Sequence, residues 1–284
     1  MKHILIILCI LTFIPSTVNA KLGFEYPAIP VELTQPSQRA GFLLRNYWQS
    51  IDFKKTIADR DAEEFEQYFA DFVNLFPHAE ESDVTAAIDS LLEQVNVNNS
   101  NLHLVIAFAE KYLFEPESPL YDEEYYRLFL NKELSLPEIN RNDKIRLQYQ
   151  LDATNKNPVG SLTTDFEFET IEGKKMNLSQ IVIDKNILLI FFDPDCDHCR
   201  DILGRFTNGE TVEELNPEQL KIVAIYSGEE KDLWNDFALS LPENWIVGYE
   251  PMKIYDEDLY VITSMPTVYL LSPKKIVLRK NIVL

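Results

Sequence analysis

The chain has 284 residues and a formal net charge of −20, with 46 acidic side chains against 26 basic ones. Its length suits one large or two modest domains, and 46% hydrophobic with 25% charged residues sets aside disorder, collagen-like repeats and a multi-span membrane protein. So acidic a surface repels phosphate backbones and anionic lipid, which excludes nucleic acid as the expected partner.

Residues 1–20 read as a secretory signal peptide. Met1-Lys2-His3 is a short positive start, Ile4 to Ile14 is almost wholly apolar, and Val18-Asn19-Ala20 offers small residues before a cut at Ala20-Lys21. The apolar run is shorter than the ~20 residues a membrane span needs. The expectation is an exported protein, most simply periplasmic, with no membrane span once the signal is cleaved. Cys9 leaves with that segment, so the mature chain keeps two cysteines, Cys196 and Cys199.

Residues 21–40 carry Pro27, Pro30 and Pro36 without helical period and read as an extended arm. From Gly41 the pattern turns helical, and residues 41–154 are expected to form an all-helical domain. Phe65, Phe69, Phe72 and Phe76 fall at i, i+4, i+7 and i+11, a single apolar stripe that Pro77 terminates. Val84, Ile88, Leu91 and Val95 repeat it, and Leu102 to Phe114, Tyr125 to Leu130 and Ile145 to Leu151 continue the series. An aromatic stripe at helical spacing is core, so no ligand site is drawn from it.

Residues 155–160, Asn-Lys-Asn-Pro-Val-Gly, form a turn-rich linker, and beyond it the period changes. Asp165 to Thr170 alternates as a half-buried strand does. Ile187 to Phe192 is a continuous apolar run of strand length, as a central strand covered on both faces requires. A helix is expected from Cys196 to about Phe206, a strand over Ile222 to Tyr226, a helix over Asp232 to Leu239, and strands over 245–248 and 267–271. Ser272 to Lys275 then turns into a last strand over 276–279. Strands alternating with helices and ending in a hairpin predict an α/β sandwich with a mixed sheet over residues 161–284.

The chemistry-bearing segment is Asp193-Pro194-Asp195-Cys196-Asp197-His198-Cys199, two thiols three positions apart where a strand gives way to a helix. At a helix N-terminus the first thiol faces unpaired N–H groups and the positive end of the dipole, which favour its thiolate. The spacing makes Cys196 the exposed nucleophile and Cys199, one turn inside, the buried resolver. A zinc site would need a second pair of ligands, and no other cysteine remains. A purely structural bridge over two intervening residues closes almost no loop and would stabilise little. A peroxiredoxin would need Thr or Ser where Asp193 stands, and a copper chaperone would want a longer cysteine spacing.

From about Val159 onward the sequence resembles the thioredoxin-like domain of bacterial envelope thiol-disulfide oxidoreductases. The resemblance rests on the strand Ile187–Phe192, the Cys196/Cys199 pair, and Ser264-Met265-Pro266-Thr267 ahead of a strand. It implies a cis bond at Pro266, packed against the disulfide, with Met265 offering backbone groups to a substrate chain. It also implies protein thiols or disulfides of the cell envelope as partners, and no cofactor beyond the redox-active Cys196–Cys199 disulfide. Tyr112 to Pro119 followed by Glu124-Tyr125-Tyr126 is similar to an all-helical domain of unknown function that precedes such domains in envelope proteins of gut bacteria. That second resemblance implies no function.

Three positions depart from the thioredoxin pattern. Asp195 stands before the first cysteine, Ile190 stands six residues before it where a buried acid would serve proton transfer, and Ile202 stands three after Cys199 where related reductants keep an acid. His198, if cationic, stabilises the thiolate and makes the pair more oxidising, whereas Asp193, Asp195 and Asp197 oppose it. The expected function is thiol-disulfide exchange with an envelope protein. Its rival is a non-enzymatic interaction module carrying a static or degenerate disulfide, and burial of Cys196 would favour that rival.

Overall fold

Pro36 opens the first helix. The computed structural model describes residues 22–284 apart from Glu138, Glu213 and Thr263, so the signal peptide expected over residues 1–20 lies outside the described residues. Helix α1 (Pro36–Asn46) begins five residues before Gly41, which shortens the expected 21–40 arm. Proline fits the first turn of a helix because its φ is already helical and its missing N–H has no intrahelical partner there. The remaining arm is pinned, since Phe24 is buried and stacks on Tyr68 with 4.1 Å between the ring centroids.

Helices α2 (Ala62–Asn74), α3 (Glu81–Val95), α4 (Asn99–Leu113), α5 (Glu123–Ser135) and α6 (Arg141–Thr154) follow. The phenylalanine stripe is entirely core, all four rings being fully buried. Trp48 lies 5.3 Å from the rings of both Phe65 and Phe72. Helix α2 stops at Asn74, and Pro77 sits in a single 3-10 turn over Phe76–His78. Asp122 and Asn140 begin α5 and α6, each side chain accepting two backbone N–H bonds of the first turn.

Two compact units make up the chain, one ending at Phe108 and one beginning at Ala109, so the division falls inside α4 and the turn-rich segment 155–160 lies within the second unit. Side-chain bonds explain why α5 joins the strand-rich part. Lys280 Nζ stands 2.6 Å from Glu123 Oε2 in an ion pair of which neither side chain is more than 8% exposed. Asn281 Nδ2 donates to the Tyr121 hydroxyl at 2.8 Å, and that hydroxyl donates to Glu123 Oε1 at 2.6 Å.

The second unit holds a seven-stranded mixed sheet. Its strands are β1 (Glu167–Thr170), β2 (Lys175–Asn177), β3 (Asn186–Phe191), β4 (Leu220–Ser227), β5 (Ile246–Glu250), β6 (Thr267–Leu271) and β7 (Val277–Arg279), in the order β2-β1-β5-β4-β3-β6-β7. Strands β3, β4 and β5 run parallel, and the other neighbours pair antiparallel. Helices α7 (Asp197–Thr207), α8 (Lys231–Ala238) and the short α9 (Lys253–Asp256) complete it. The short α9 has no counterpart in the sequence reading. Its start is held by the buried Glu250 carboxylate, which accepts the N–H bonds of Lys253 and Ile254.

Strand β3 divides two cores by its alternation. Leu188 and Ile190 pack with residues of α7 and α8 on one face, while Ile187, Leu189 and Phe191 pack with Phe166, Phe168 and Ile254 on the other. Helices therefore cover both faces, and the architecture is the expected thioredoxin-like α/β sandwich. At Gly248 in β5 a Cβ would lie 2.4 Å from the Phe168 ring and 2.7 Å from Ile225 Cδ1, so the sheet at that point closes only over a glycine. Among the described residues no helix is long and apolar enough to cross a membrane.

Candidate active site

The cysteine pair stands where β3 hands over to α7. After Phe191 the chain turns through Asp193, whose carbonyl accepts the Cys196 N–H at 3.1 Å and whose Oδ1 accepts the Asp195 N–H at 2.8 Å. This turn sets Cys196 at the N-cap of α7 in extended backbone, φ −79° and ψ 116°. Its sulfur occupies the place of a capping oxygen, accepting the Cys199 N–H at 3.3 Å. A sulfur held there meets the unpaired N–H groups and the positive end of the helix dipole.

The two thiols, both free in this structure, differ in environment. Cys196 is half-buried and reaches solvent, whereas Cys199 is fully buried. Cys199 belongs to the apolar core that also holds Ile190 and Ile202, so the place where a thioredoxin keeps a buried acid is apolar here. Burial pushes the Cys199 thiol up to about 12; a hydrogen bond to the Asp193 backbone opposes that shift, and the neighbouring Cys196 and the Asp193 charge reinforce it.

Strand pairing brings the second segment in. Strand β6 lies antiparallel to β3, with Thr267 opposite Phe191, so the residues just before β6 meet those just after β3. The Met265–Pro266 peptide is cis, and the carbonyl oxygen of Met265 accepts from the Cys196 thiol at 3.8 Å. Thr267 Oγ1 donates to the Ser264 carbonyl at 2.5 Å and ties the turn together. Met265 and Pro266 are both half-buried and border a groove of about 220 Å³.

The charged residues that the sequence groups together separate in space. His198, Asp195 and Asp197 are exposed. Arg200 pairs with Asp197, whose side chain is 96% exposed, so water and the guanidinium both screen that carboxylate. Asp193 alone is half-buried and acts on the buried thiol. Sequence reasoning gave no role to Pro116 and Glu117, nor to residues 281–284, yet these line the groove together with His198, Met265 and Pro266. Their local pattern is only that of a loop and a strand end, so nothing in it signals the site. Among the described residues no three His, Cys, Asp or Glu side chains cluster as metal ligands would.

The family model described as a domain of unknown function, DUF5106, matches residues 12–157, slightly more than half of the chain. The chain belongs to the DUF5106 family. It is also similar to the crystal structure of a thioredoxin-like protein from Bacteroides caccae, with 30% identity and a TM-score of 0.78 over 91% of this chain and 94% of that one. A conserved protein of unknown function from Bacteroides fragilis is 33% identical over 43% of this chain and 90% of its own, with a TM-score of 0.38. The thioredoxin domain of a thiol-disulfide oxidoreductase from Bacteroides vulgatus is 16% identical over 43% of this chain and 86% of its own, with a TM-score of 0.36. No curated protein matches the chain. This chain thus couples its DUF5106 part to a thioredoxin-like fold, and its Bacteroides caccae relative aligns over nearly the whole length of both chains.

Proposed function

We propose that the protein exchanges disulfides with protein thiols of the cell envelope through Cys196 and Cys199. One observation carries this reading: a solvent-reaching thiol caps α7 beside the cis Met265–Pro266 bond, with a fully buried thiol one turn further on. Exchange demands that access to Cys196, and a static bridge does not.

In the reducing direction the Cys196 thiolate attacks one sulfur of a substrate disulfide. The substrate S–S bond breaks, its other sulfur leaves as a thiolate, and a mixed disulfide joins Cys196 to the substrate. Cys199 then loses its proton and attacks the Cys196 sulfur. The Cys196–Cys199 bond forms, the mixed disulfide breaks, and the substrate's second sulfur departs as a thiolate, so the substrate gains the two electrons the pair gives up. The same steps reversed oxidise a substrate dithiol. Met265 and Pro266 position the partner strand, His198 favours the thiolate, and Asp193, Asp195 and Asp197 oppose it to the extent that each is near and unscreened. The chemistry runs through the cysteines themselves and calls for no organic cofactor.

The signal-like N-terminus supports action outside the cytoplasm, in the periplasm, where disulfides persist. The decisive test uses two variants. Cys196→Ser abolishes exchange, and Cys199→Ser reacts once and stays covalently joined to its substrate, as a reductant-sensitive adduct on a gel. Turnover retained by Cys196→Ser, or no adduct with Cys199→Ser, would sink the reading.

A further inference from the structure

The groove beside the cysteine pair has a wall that does not come from the sandwich. Its lining pairs His198, Met265 and Pro266 with Pro116 and Glu117 from the loop between α4 and α5. A second groove of about 640 Å³ shares Pro116, Glu117 and Asn281 with the first, so the two adjoin along this loop. We infer that this loop forms one side of the channel that receives the partner's cysteine-bearing strand, and that Glu117 selects partners with a basic residue beside the reacting cysteine. The inference rests on the exchange reading and goes further, since it gives the helical region a task.

The loop is built to hold a position. Ser118 Oγ donates to the Tyr112 carbonyl at 2.6 Å and accepts the Leu120 N–H at 3.1 Å, and the Asp122 N–H closes back on the Leu113 carbonyl at 3.1 Å. Its far end is tied to the chain beyond β7 by the Tyr121, Glu123, Lys280 and Asn281 network. That chain in turn bonds to β6, through the Ile282 N–H and the Val268 carbonyl at 3.2 Å. The loop is thereby referenced to the strand that follows Pro266, and Glu117 keeps its place relative to the sulfur.

Charge names the occupant. Glu117 and His198 are the only described titratable side chains lining the nearer groove, and Glu117 is exposed and free to meet an incoming cation. The exposed Asp195 flanks Cys196 in sequence, on a chain of net charge −20. An extended strand rises about 3.3 Å per residue, so a lysine or arginine one or two places from the partner's cysteine comes within a side chain's reach of the wall. Acidic partners meet the same carboxylate as repulsion, which is how a rim charge discriminates.

The experiment compares two peptides of one length whose single cysteine is blocked as a mixed disulfide with 2-mercaptoethanol, flanked by lysine in one and glutamate in the other. The full reduced chain is tested as wild type, Glu117→Gln and Glu117→Lys, and the readout is the ratio of the two exchange rate constants within each protein. Wild type should favour the lysine peptide by about fivefold, the ratio a well-placed exposed ion pair gives. The ratio should shrink in Glu117→Gln, fall to one or invert in Glu117→Lys, and diminish at about 1 M salt. An equal ratio in all three proteins overturns the inference. The uncharged bis(2-hydroxyethyl) disulfide separates the two levels: a wild type that reacts with it but shows no lysine preference loses only this inference. A wild type that reacts with neither disulfide loses the exchange reading, and this inference with it.

Discussion

The backbone N–H of Cys199 donates to the sulfur of Cys196 at 3.3 Å, so the resolving residue also helps hold the attacking sulfur at the helix start. Cys199 itself is fully buried in the apolar core, and that burial pushes its thiol up to about 12.

Resolution of a mixed disulfide needs the Cys199 thiolate, whose fraction grows about tenfold per pH unit anywhere well below 12. Decay of a pre-formed adduct on Cys196 should therefore accelerate steadily from pH 6 to pH 9 without levelling. Stopped-flow release of a labelled thiol measures it, and a plateau near neutrality would show that Cys199 ionises far more readily than its burial implies.

Removing the imidazole at position 198 takes away a group that, as a cation, stabilises the reduced form. His198→Ala should lower the reduction potential of the pair, and because the side chain is exposed and screened the change should be about 30 mV or less. Thiol labelling across a glutathione series reads it. An unchanged or higher potential would assign the tuning to other groups.

Glu133 is 1% exposed, and neither carboxylate oxygen has a hydrogen-bond partner among the described residues. Burial raises its pKa from 4.5 to about 8, with Arg146 opposing and Glu110 reinforcing the shift. The folded state thus keeps a proton that the unfolded chain releases. Stability from this group is fully present below about pH 4.5 and is lost as pH rises through about 8. Glu133→Gln should flatten that decline and gain on the order of 2 kcal/mol over wild type at pH 9. Urea unfolding at pH 5 and pH 9 checks it, and an equal pH dependence in both proteins would refute it.

The Lys280–Glu123 pair is buried on both sides, and desolvation lowers the Lys280 pKa against the pull of Glu123. Lys280→Met strands a buried carboxylate and should cost about 3 kcal/mol. Adding Glu123→Leu to it should restore most of that loss, because two apolar groups no longer need each other. Thermal unfolding of the single and double variants tests the coupling; equal losses in both would show that the pair does not act as a unit.

Much of this was legible along the chain because it is periodic or local. The phenylalanine stripe at 65, 69, 72 and 76 specifies a buried helix face. The apolar run through Ile190 specifies a central strand, and Cys196 to Cys199 at a strand-to-helix junction specifies which thiol is the less buried. Helix starts were less legible, as α1 shows, because a proline signals a break and a first turn equally well. What only the tertiary structure decided are the pairings between distant segments: Met265 against Cys196, Asn281 against Tyr121, and Glu117 beside His198 at one groove. Asp193, Asp195 and Asp197 carry the same charge two residues apart, yet a single turn leaves one against the buried thiol and the others in water. A residue's type sets what chemistry it can do, and sheet register and loop anchoring set where it does it, since those depend on contacts 69 to 160 residues apart that no local pattern encodes.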